Sequence, residues 1–365
     1  MSASEMGSLL ADTVTRLFTD LVTKDAIESA EKGVWPEKLW RALEEGGLTL
    51  PLVSESAGGA GLTWLDAHVM VRAAGRHTAP VPLAETIVAG ALLSRAGLDV
   101  PLGPLTLAPV RRSETLTLAR RGNAFEVSGT ATRVPWGRSA GHVVTVADVD
   151  GTPTVAIIAT SAAKIAPDTN LALEPRDTLV FDRAPVVAAA PAQGIPGAAI
   201  RLYGAMVRAA QMAGALDSIL EQGVRYATER KQFGRPIANF QAIQHYLAVV
   251  AGHVAASGLA AEQAFRAADG ATRWTAMSGQ GSHDPHFEIA VAKIRVGEAA
   301  GVAAGLVHQV HGAIGFTYEH SLHFATRRLW SWRAEFGSES GWAMELGRRV
   351  AARGADALWA DLTAR

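Results

Sequence analysis

The sequence predicts an α+β multidomain chain: an N-terminal helical domain over residues 1–101, a middle antiparallel β domain over 102–192 and a C-terminal four-helix bundle over 193–365. Three observations predict it. Both outer parts repeat apolar residues at three- and four-residue spacing, the period of a buried helix face. Between about 102 and 190 the texture changes to short β-rich runs separated by turn formers. Those runs do not alternate with helical patterns, which argues against a doubly wound parallel sheet.

The elements follow in order. Residues 27–43 and 65–75 carry the helical spacing, and Pro36 suits the first turn of a helix, where its missing N–H costs nothing. Gly58, Gly59 and Gly61 interrupt the pattern, so 54–63 is a loop. Pro80 and Pro82 force a second break before a helix over 85–96. Strands are expected at 115–118, 124–127, 142–146, 154–158 and 178–181, with turns at Gly122-Asn123, Asp150-Gly151 and Pro175. Their close, regular spacing suggests an antiparallel sandwich or barrel. Helices are then expected over 198–228, 238–268, 286–311, 320–335 and 340–360, and long antiparallel helices joined by short turns make a bundle.

Composition limits the function. Hydrophobic residues make up 48% and charged residues 19%, and the formal net charge of −1 lacks the basic excess of a nucleic-acid protein. The absence of cysteine excludes disulfides, thiolate nucleophiles and cysteine metal sites. Residues 1–12 show no basic segment followed by an apolar run, so no signal peptide is expected. No uncharged apolar run reaches the ~18 residues that span a bilayer. A cytoplasmic protein is the expectation.

Two segments carry chemistry. The first is Arg225-Tyr226-Ala227-Thr228-Glu229-Arg230-Lys231-Gln232-Phe233-Gly234-Arg235-Pro236, followed by Phe240-Gln241-Ala242-Ile243-Gln244-His245. It joins two helical patterns through a basic, glycine-containing corner. A guanidinium such as that of Arg230 binds a pyrophosphate bidentately, Gly234 permits close backbone approach, and Phe233 offers a face to an aromatic ring. The second is Gln309-Val310-His311-Gly312-Ala313-Ile314-Gly315-Phe316-Thr317-Tyr318-Glu319-His320. Gln241 and Gln309 are neutral amides suited to cofactor oxygens. On spacing alone, a helix corner with surface charges explains the first segment equally well.

Other features read more plainly. The three glycines near Gly58 follow no strand and open no βαβ unit, so they are a loop rather than a dinucleotide fingerprint. His308/His311 and His320/His323 share helix faces, yet no Glu-x-x-His pair completes a metal set, and ordinary polar contacts are expected. No Gly-x-Ser-x-Gly element supports a serine hydrolase. Among nine tryptophans, Trp330, Trp332 and Trp342 are expected to pack in the core, with a subunit interface or a bulky-substrate lining as the alternative.

The two segments resemble the flavin-binding signatures of the acyl-CoA dehydrogenase family. A weaker likeness is the run Val53-Ser54-Glu55-Ser56-Ala57-Gly58-Gly59-Ala60-Gly61-Leu62, similar to the family's N-terminal glycine loop with Ser54 in place of proline. The resemblance spans nearly the whole chain and implies an acyl-CoA dehydrogenase-like fold, FAD as cofactor and an acyl-CoA thioester as substrate. In the family a carboxylate removes the α-proton while FAD takes the β-hydride. The resemblance further implies that Arg230, Gln232, Phe233, Gln241, Gln309, His311, Gly312 and Gly315 hold the FAD of a neighbouring subunit. Ala313 replaces the second glycine of the turn.

The same resemblance exposes two gaps. Counting from Phe316, the usual catalytic glutamate falls on Phe336, before Gly337, with Glu335 one residue earlier. In the family's other arrangement the base falls near Tyr203-Gly204-Ala205, where no acid stands. The family's flavin-facing loop is also absent from Leu107-Ala108-Pro109-Val110-Arg111-Arg112-Ser113-Glu114, and 129–137 matches the following strand only loosely. The leading expectation is therefore the base-lacking subunit of a heteromeric acyl-CoA dehydrogenase, with electron-transfer flavoprotein as acceptor. The alternatives are a self-sufficient homo-oligomer using Glu335 as base, a non-catalytic helical assembly or acyl-CoA-binding protein, and a flavin oxidase or monooxygenase on the same fold.

Overall fold

The structure, a computed structural model, describes residues 3–363 apart from 123, 193 and 279–283. Five helices come first: α1 (Ala3–Leu21), α2 (Lys24–Glu31), α3 (Glu37–Glu45), α4 (Trp64–Arg76) and α5 (Leu83–Arg95). The expected helix over 27–43 is divided, because Gly33 turns left-handed at φ +89° and Pro36 stands as the N-cap of α3. Thr63 and Asp66 form a capping box on α4, satisfying two N-terminal N–H groups reciprocally. The glycine loop is held by close approach: a Cβ on Gly59 would lie 2.2 Å from the Val53 carbonyl oxygen.

The middle of the chain folds as two four-stranded sheets. One has the order β1 (Leu105–Leu107), β4 (His142–Val149), β5 (Thr152–Ala159), β8 (Ala188–Pro191). The other has the order β2 (Thr117–Arg121), β3 (Ala124–Pro135), β7 (Arg176–Pro185), β6 (Lys164–Ala166). Leu118, Val127 and Phe181 of the second sheet meet Val143, Ala156 and Ile158 of the first in one apolar core, so the arrangement is a sandwich. One pair departs from the all-antiparallel expectation: β1 and β4 run parallel. The chain between them passes through β2 and β3 of the other sheet, a connection long enough for parallel pairing. Val144, Val155 and Ile157 face the helices instead. The first sheet is thus buried on both sides, which is why β4 reads as a near-continuous apolar run. Strands β1, β6 and β8 are too short to show a period. Asn123, in one expected turn, lies outside the described residues.

The remainder is helical: α6 (Ala199–Glu229), a hairpin of β9 (Lys231–Gln232) and β10 (Arg235–Pro236), α7 (Gln241–Ser278), α8 (His286–His311), α9 (Leu322–Trp332), α10 (Glu339–Arg353) and α11 (Ala355–Thr363). The segment over 320–335 holds helix only in α9. The helix expected over 340–360 stops where Gly354 takes φ +87°. Helix α6 is the axis of the bundle and packs on α4, α7 and α8. Its alanine and glycine content lets neighbours come close. A Cβ on Gly214 would sit 1.9 Å from the Arg72 carbonyl oxygen, and one on Gly75 2.0 Å from that of Gln211. At 1.5 Å per residue, α6 holds Arg201 near its start about 43 Å from Arg230, its C-cap.

Candidate functional site

The two sequence segments meet at the C-terminal end of α6. Ala227, Ile237 and Val310 bury themselves in one small cluster, and the Tyr226 ring stacks on His311 with centroids 4.5 Å apart. The Ile237 N–H donates to the Arg230 carbonyl at 2.8 Å and closes the corner. The hairpin turn needs left-handed backbone at Phe233 (φ +51°) and Gly234 (φ +79°). This displays the phenylalanine ring with 90% of its surface exposed. Phe316 and Tyr318 are 71% and 68% exposed beside the second turn.

Each residue implied by the resemblance has a definite place. Arg230, Gln232, Gln241, Gln309 and Gly312 are exposed, whereas His311 and Gly315 are buried. The Arg230 guanidinium has no ion-pair partner among the described residues. His311 Nδ1–H donates to the Val307 carbonyl at 2.8 Å, which leaves its buried Nε2 without a partner. Burial holds the imidazole neutral, at a pKa of about 4. An exposed guanidinium, exposed amides and a displayed aromatic face thus share one surface, with the His311 imidazole buried beneath it.

At the other end of α6 the two stretches that could carry a base come together. A Cβ added to Gly204 would lie 2.4 Å from Cδ1 of Phe336, so that ring rests directly on the α6 backbone. Phe336 is buried and held at φ +55°, a strained conformation for a bulky residue. Both positions are therefore apolar, and each fills the space the other leaves.

Glu335 points into charge. It accepts from Arg176 Nε at 2.6 Å and lies 2.8 Å from Arg208 Nη2. Burial alone would raise its carboxyl; the guanidinia of Arg176 and Arg208 outweigh that and hold it below the usual carboxylate range. A base needs the opposite environment, so Glu335 is placed as an ion-pair acceptor. The network continues outward. Glu174 accepts from Asn170, Arg176, Arg328 and the Trp332 indole. Burial opposes its ionisation, but these cations overcome it and hold the carboxyl at about 2. Arg208 also reaches Glu85 of α5 and Gln211. Helices and strands from all three parts of the chain are tied at this point. Sequence reading missed Arg208, although an arginine inside the apolar run 202–216 was a usable signal.

Beside the network, a cavity of about 600 Å³ opens between the β sandwich and the bundle. Its lining includes Arg111, Arg133, Arg201, Glu335, Ser338 and Trp342. Of the three tryptophans expected in the core, two are buried and Trp330 is not: its place on α9 turns it outward, where Arg333 lies over its ring. Trp332 and Trp342 are buried, while Trp330 is half exposed. His308 Nε2 bonds the Thr326 hydroxyl at 2.9 Å, and its ring stacks on Phe316.

Residues 4–99 match the family model of the acyl-CoA dehydrogenase N-terminal domain, and residues 202–350 match that of the acyl-CoA dehydrogenase C-terminal domain, together more than half of the chain. The chain belongs to the acyl-CoA dehydrogenase family. Among curated relatives, acyl-CoA dehydrogenase IpdE2 of Mycobacterium tuberculosis is 28% identical over 90% of this chain and 92% of its own length. A solved variant of the Tcur3481–Tcur3483 steroid acyl-CoA dehydrogenase superposes with a TM-score of 0.84 at 25% identity, covering 96% of this chain and 99% of that one. The ChsE4–ChsE5 complex from Mycobacterium tuberculosis superposes with a TM-score of 0.83 at 24% identity, covering 96% and 98%. Members of the family are FAD-dependent oxidoreductases acting on the CH–CH bond of acyl-CoA thioesters.

Among the described residues no helix is long and apolar enough to cross a membrane.

Proposed function

We propose that this chain is the base-lacking subunit of a heteromeric acyl-CoA dehydrogenase. The observation that carries the reading is the contact of Phe336 with Gly204: both positions at which the family resemblance would place a base are apolar and closed on each other. The partner supplies the carboxylate. FAD, when bound, accepts the hydride in the α,β-dehydrogenation of the thioester.

This chain's own residues have other work. Arg230 holds phosphate charge, Phe233 covers an aromatic face, and Gln232, Gln241 and Gln309 offer amide hydrogen bonds. His311, Gly312 and Gly315 shape the turn beneath them. The length of α6 supports the sharing. A ligand at the Arg230 corner is about 43 Å from the cavity beside Glu335, so one chain does not close both on one flavin. The solved steroid enzyme at 25% identity carries a name that joins two chains, Tcur3481 and Tcur3483. A heteromer acting on steroid or other bulky acyl-CoA thioesters, passing electrons to electron-transfer flavoprotein, is the assignment to test first. A cytoplasmic location accompanies it.

The test is the flavin spectrum of the chain purified alone and co-expressed with a family member that retains its glutamate. A colourless chain that becomes yellow and acyl-CoA-bleachable only with the partner is expected. A yellow chain that acyl-CoA bleaches without a partner overturns the proposal. Glu335→Gln tests the second reading, a self-sufficient homo-oligomer: turnover by this chain alone is abolished, with flavin retained, if Glu335 is the base, and unchanged turnover removes that reading.

A further inference from the structure

Lys293 lies on α8 with its side chain fully buried. No acidic side chain stands within ion-pair distance of its Nζ among the described residues. Instead Nζ donates to the Arg333 carbonyl at 2.7 Å and to the Trp332 carbonyl at 3.4 Å. These carbonyls end α9, where a helix leaves its acceptors largely unpaired and carries partial negative charge. An amino group from α8 thus closes the end of α9.

The turn that seats Glu335 and Phe336 follows directly. The Glu335 N–H donates to the same Trp332 carbonyl at 3.2 Å. Phe336 and Gly337 then take φ +55° and +105°. Trp342 donates its indole N–H to the Phe336 carbonyl at 3.1 Å, and Arg333 pairs with Glu339 at the start of α10. Gly297, one turn beyond Lys293, lets α10 come close: a Cβ there would lie 2.8 Å from the Cβ of Glu339. Helices α8 and α10 therefore clasp this turn, and Lys293 holds its first residue.

Four charged side chains act on Lys293: Glu335 and Arg333 from the turn, Glu339 from α10 and Arg208 from α6. Burial does most to weaken its hold on a proton, Arg208 and Arg333 add to that, the two glutamates oppose it, and the amino group settles at about 7 against 10.5 for a free lysine. Burial prevails because both glutamates are already engaged, Glu335 by Arg176 and Arg208, and Glu339 by Arg333.

We propose that Lys293 is a proton-responsive positioning residue: it fixes the end of α9, and through it the turn that lays Phe336 on Gly204 and Glu335 between Arg176 and Arg208, and uptake of a proton favours release of that turn. An opening that brings Nζ to water restores the ordinary lysine affinity. Between about 7 and 10.5 the open turn therefore binds a proton that the closed one lacks. Rising pH tightens the turn across that window, and falling pH loosens it until about 7, below which both forms carry the proton. The device belongs to this chain by itself and does not rest on the heteromer.

Hydrogen exchange of the full-length chain, corrected for intrinsic rates, reads the turn. Protection of the 333–337 amides is expected to rise about ten-fold per pH unit from about pH 7 to about pH 9, at a level below that of whole-chain unfolding measured in urea. Lys293→Met removes the titrating group. Lys293→Gln also removes it but keeps an amide donor for the two carbonyls, should the first variant fail to fold. The slope is expected to vanish in either. No slope in the unaltered chain, or an equal slope in the variants, overturns the proposal. So do turn amides protected as fully as the whole chain, because the turn then does not open by itself.

Discussion

The two ends of α6 are built on opposite principles. At its start, arginines and glutamates are sealed inside the protein and neutralise one another, and a phenylalanine rests on the helix backbone. At its end, the Arg230 side chain is exposed with no ion-pair partner among the described residues, and aromatic rings lie uncovered. The buried charge network of the first end is completed within one chain. The second leaves its rings and its guanidinium exposed. A single helix thus carries an internally paired end and an exposed one, and under the proposed heteromer the difference teaches where to look for the partner's contribution: at the exposed end.

The largest expected effect falls on the closed end. Arg208→Met leaves Glu85 without its cation and Glu335 with one fewer, and removing one partner of a buried pair costs roughly 3–5 kcal/mol. Urea denaturation measures it; a loss below about 1 kcal/mol would mean the network is not what anchors this end. The open end predicts the reverse pattern. Phe233→Ala changes the stability of the isolated chain by less than about 0.5 kcal/mol, because the ring touches little. It weakens assembly with a partner by about 2 kcal/mol, the scale of an exposed aromatic that becomes an interface anchor. Equal effects on fold and assembly would erase the distinction.

Acidification provides a finer comparison. Burial holds His311 neutral at a pKa of about 4, against 6.5 for a free imidazole, and lowers His308, His320 and His323 in the same direction. As pH falls from 6.5 toward 4, the unfolded corner binds more protons than the folded one, so the open end loses stability and then levels off. Glu174, held at about 2 against 4.5, keeps its full contribution above 4.5 and loses it only as pH drops toward 2. At a pH of about 5 the open end has weakened, as has the α4 region around His68, also held at about 4 by burial, while the Glu174 network has not. Hydrogen exchange at about pH 7 and pH 5, corrected for intrinsic rates, is expected to show protection falling at the C-terminal turn of α8 before that of α9 and β7. A uniform decline would contradict it.

The layered fold was legible because period and composition change along the chain, and those are local signals. The break inside 27–43 was half-visible, in Pro36, but the left-handed Gly33 that completes it depends on the path of the backbone. The parallel pairing of β1 with β4 was not legible, since a three-residue strand has no period and its partner is chosen by the sandwich. The corner residues could be named from their pattern. The cavity with Arg111 and Arg133 could not, because its cations come from a loop, a bulge and a helix start far apart in sequence. The contact between Phe336 and Gly204 lies between these cases. Counting located both residues separately, and only the packing showed that each occupies the other's vacancy.

The uncovered aromatic end has a consequence for the cell that makes this protein. A chain displaying Phe233, Phe316 and Tyr318 to water carries adhesive apolar surface. Surplus copies would be drawn to chaperones, to proteases or to one another. In the proposed heteromer, synthesis in step with the partner that covers that end would protect the protein as much as any contact inside it does, and the ratio in which the two chains are produced would become part of how the molecule survives.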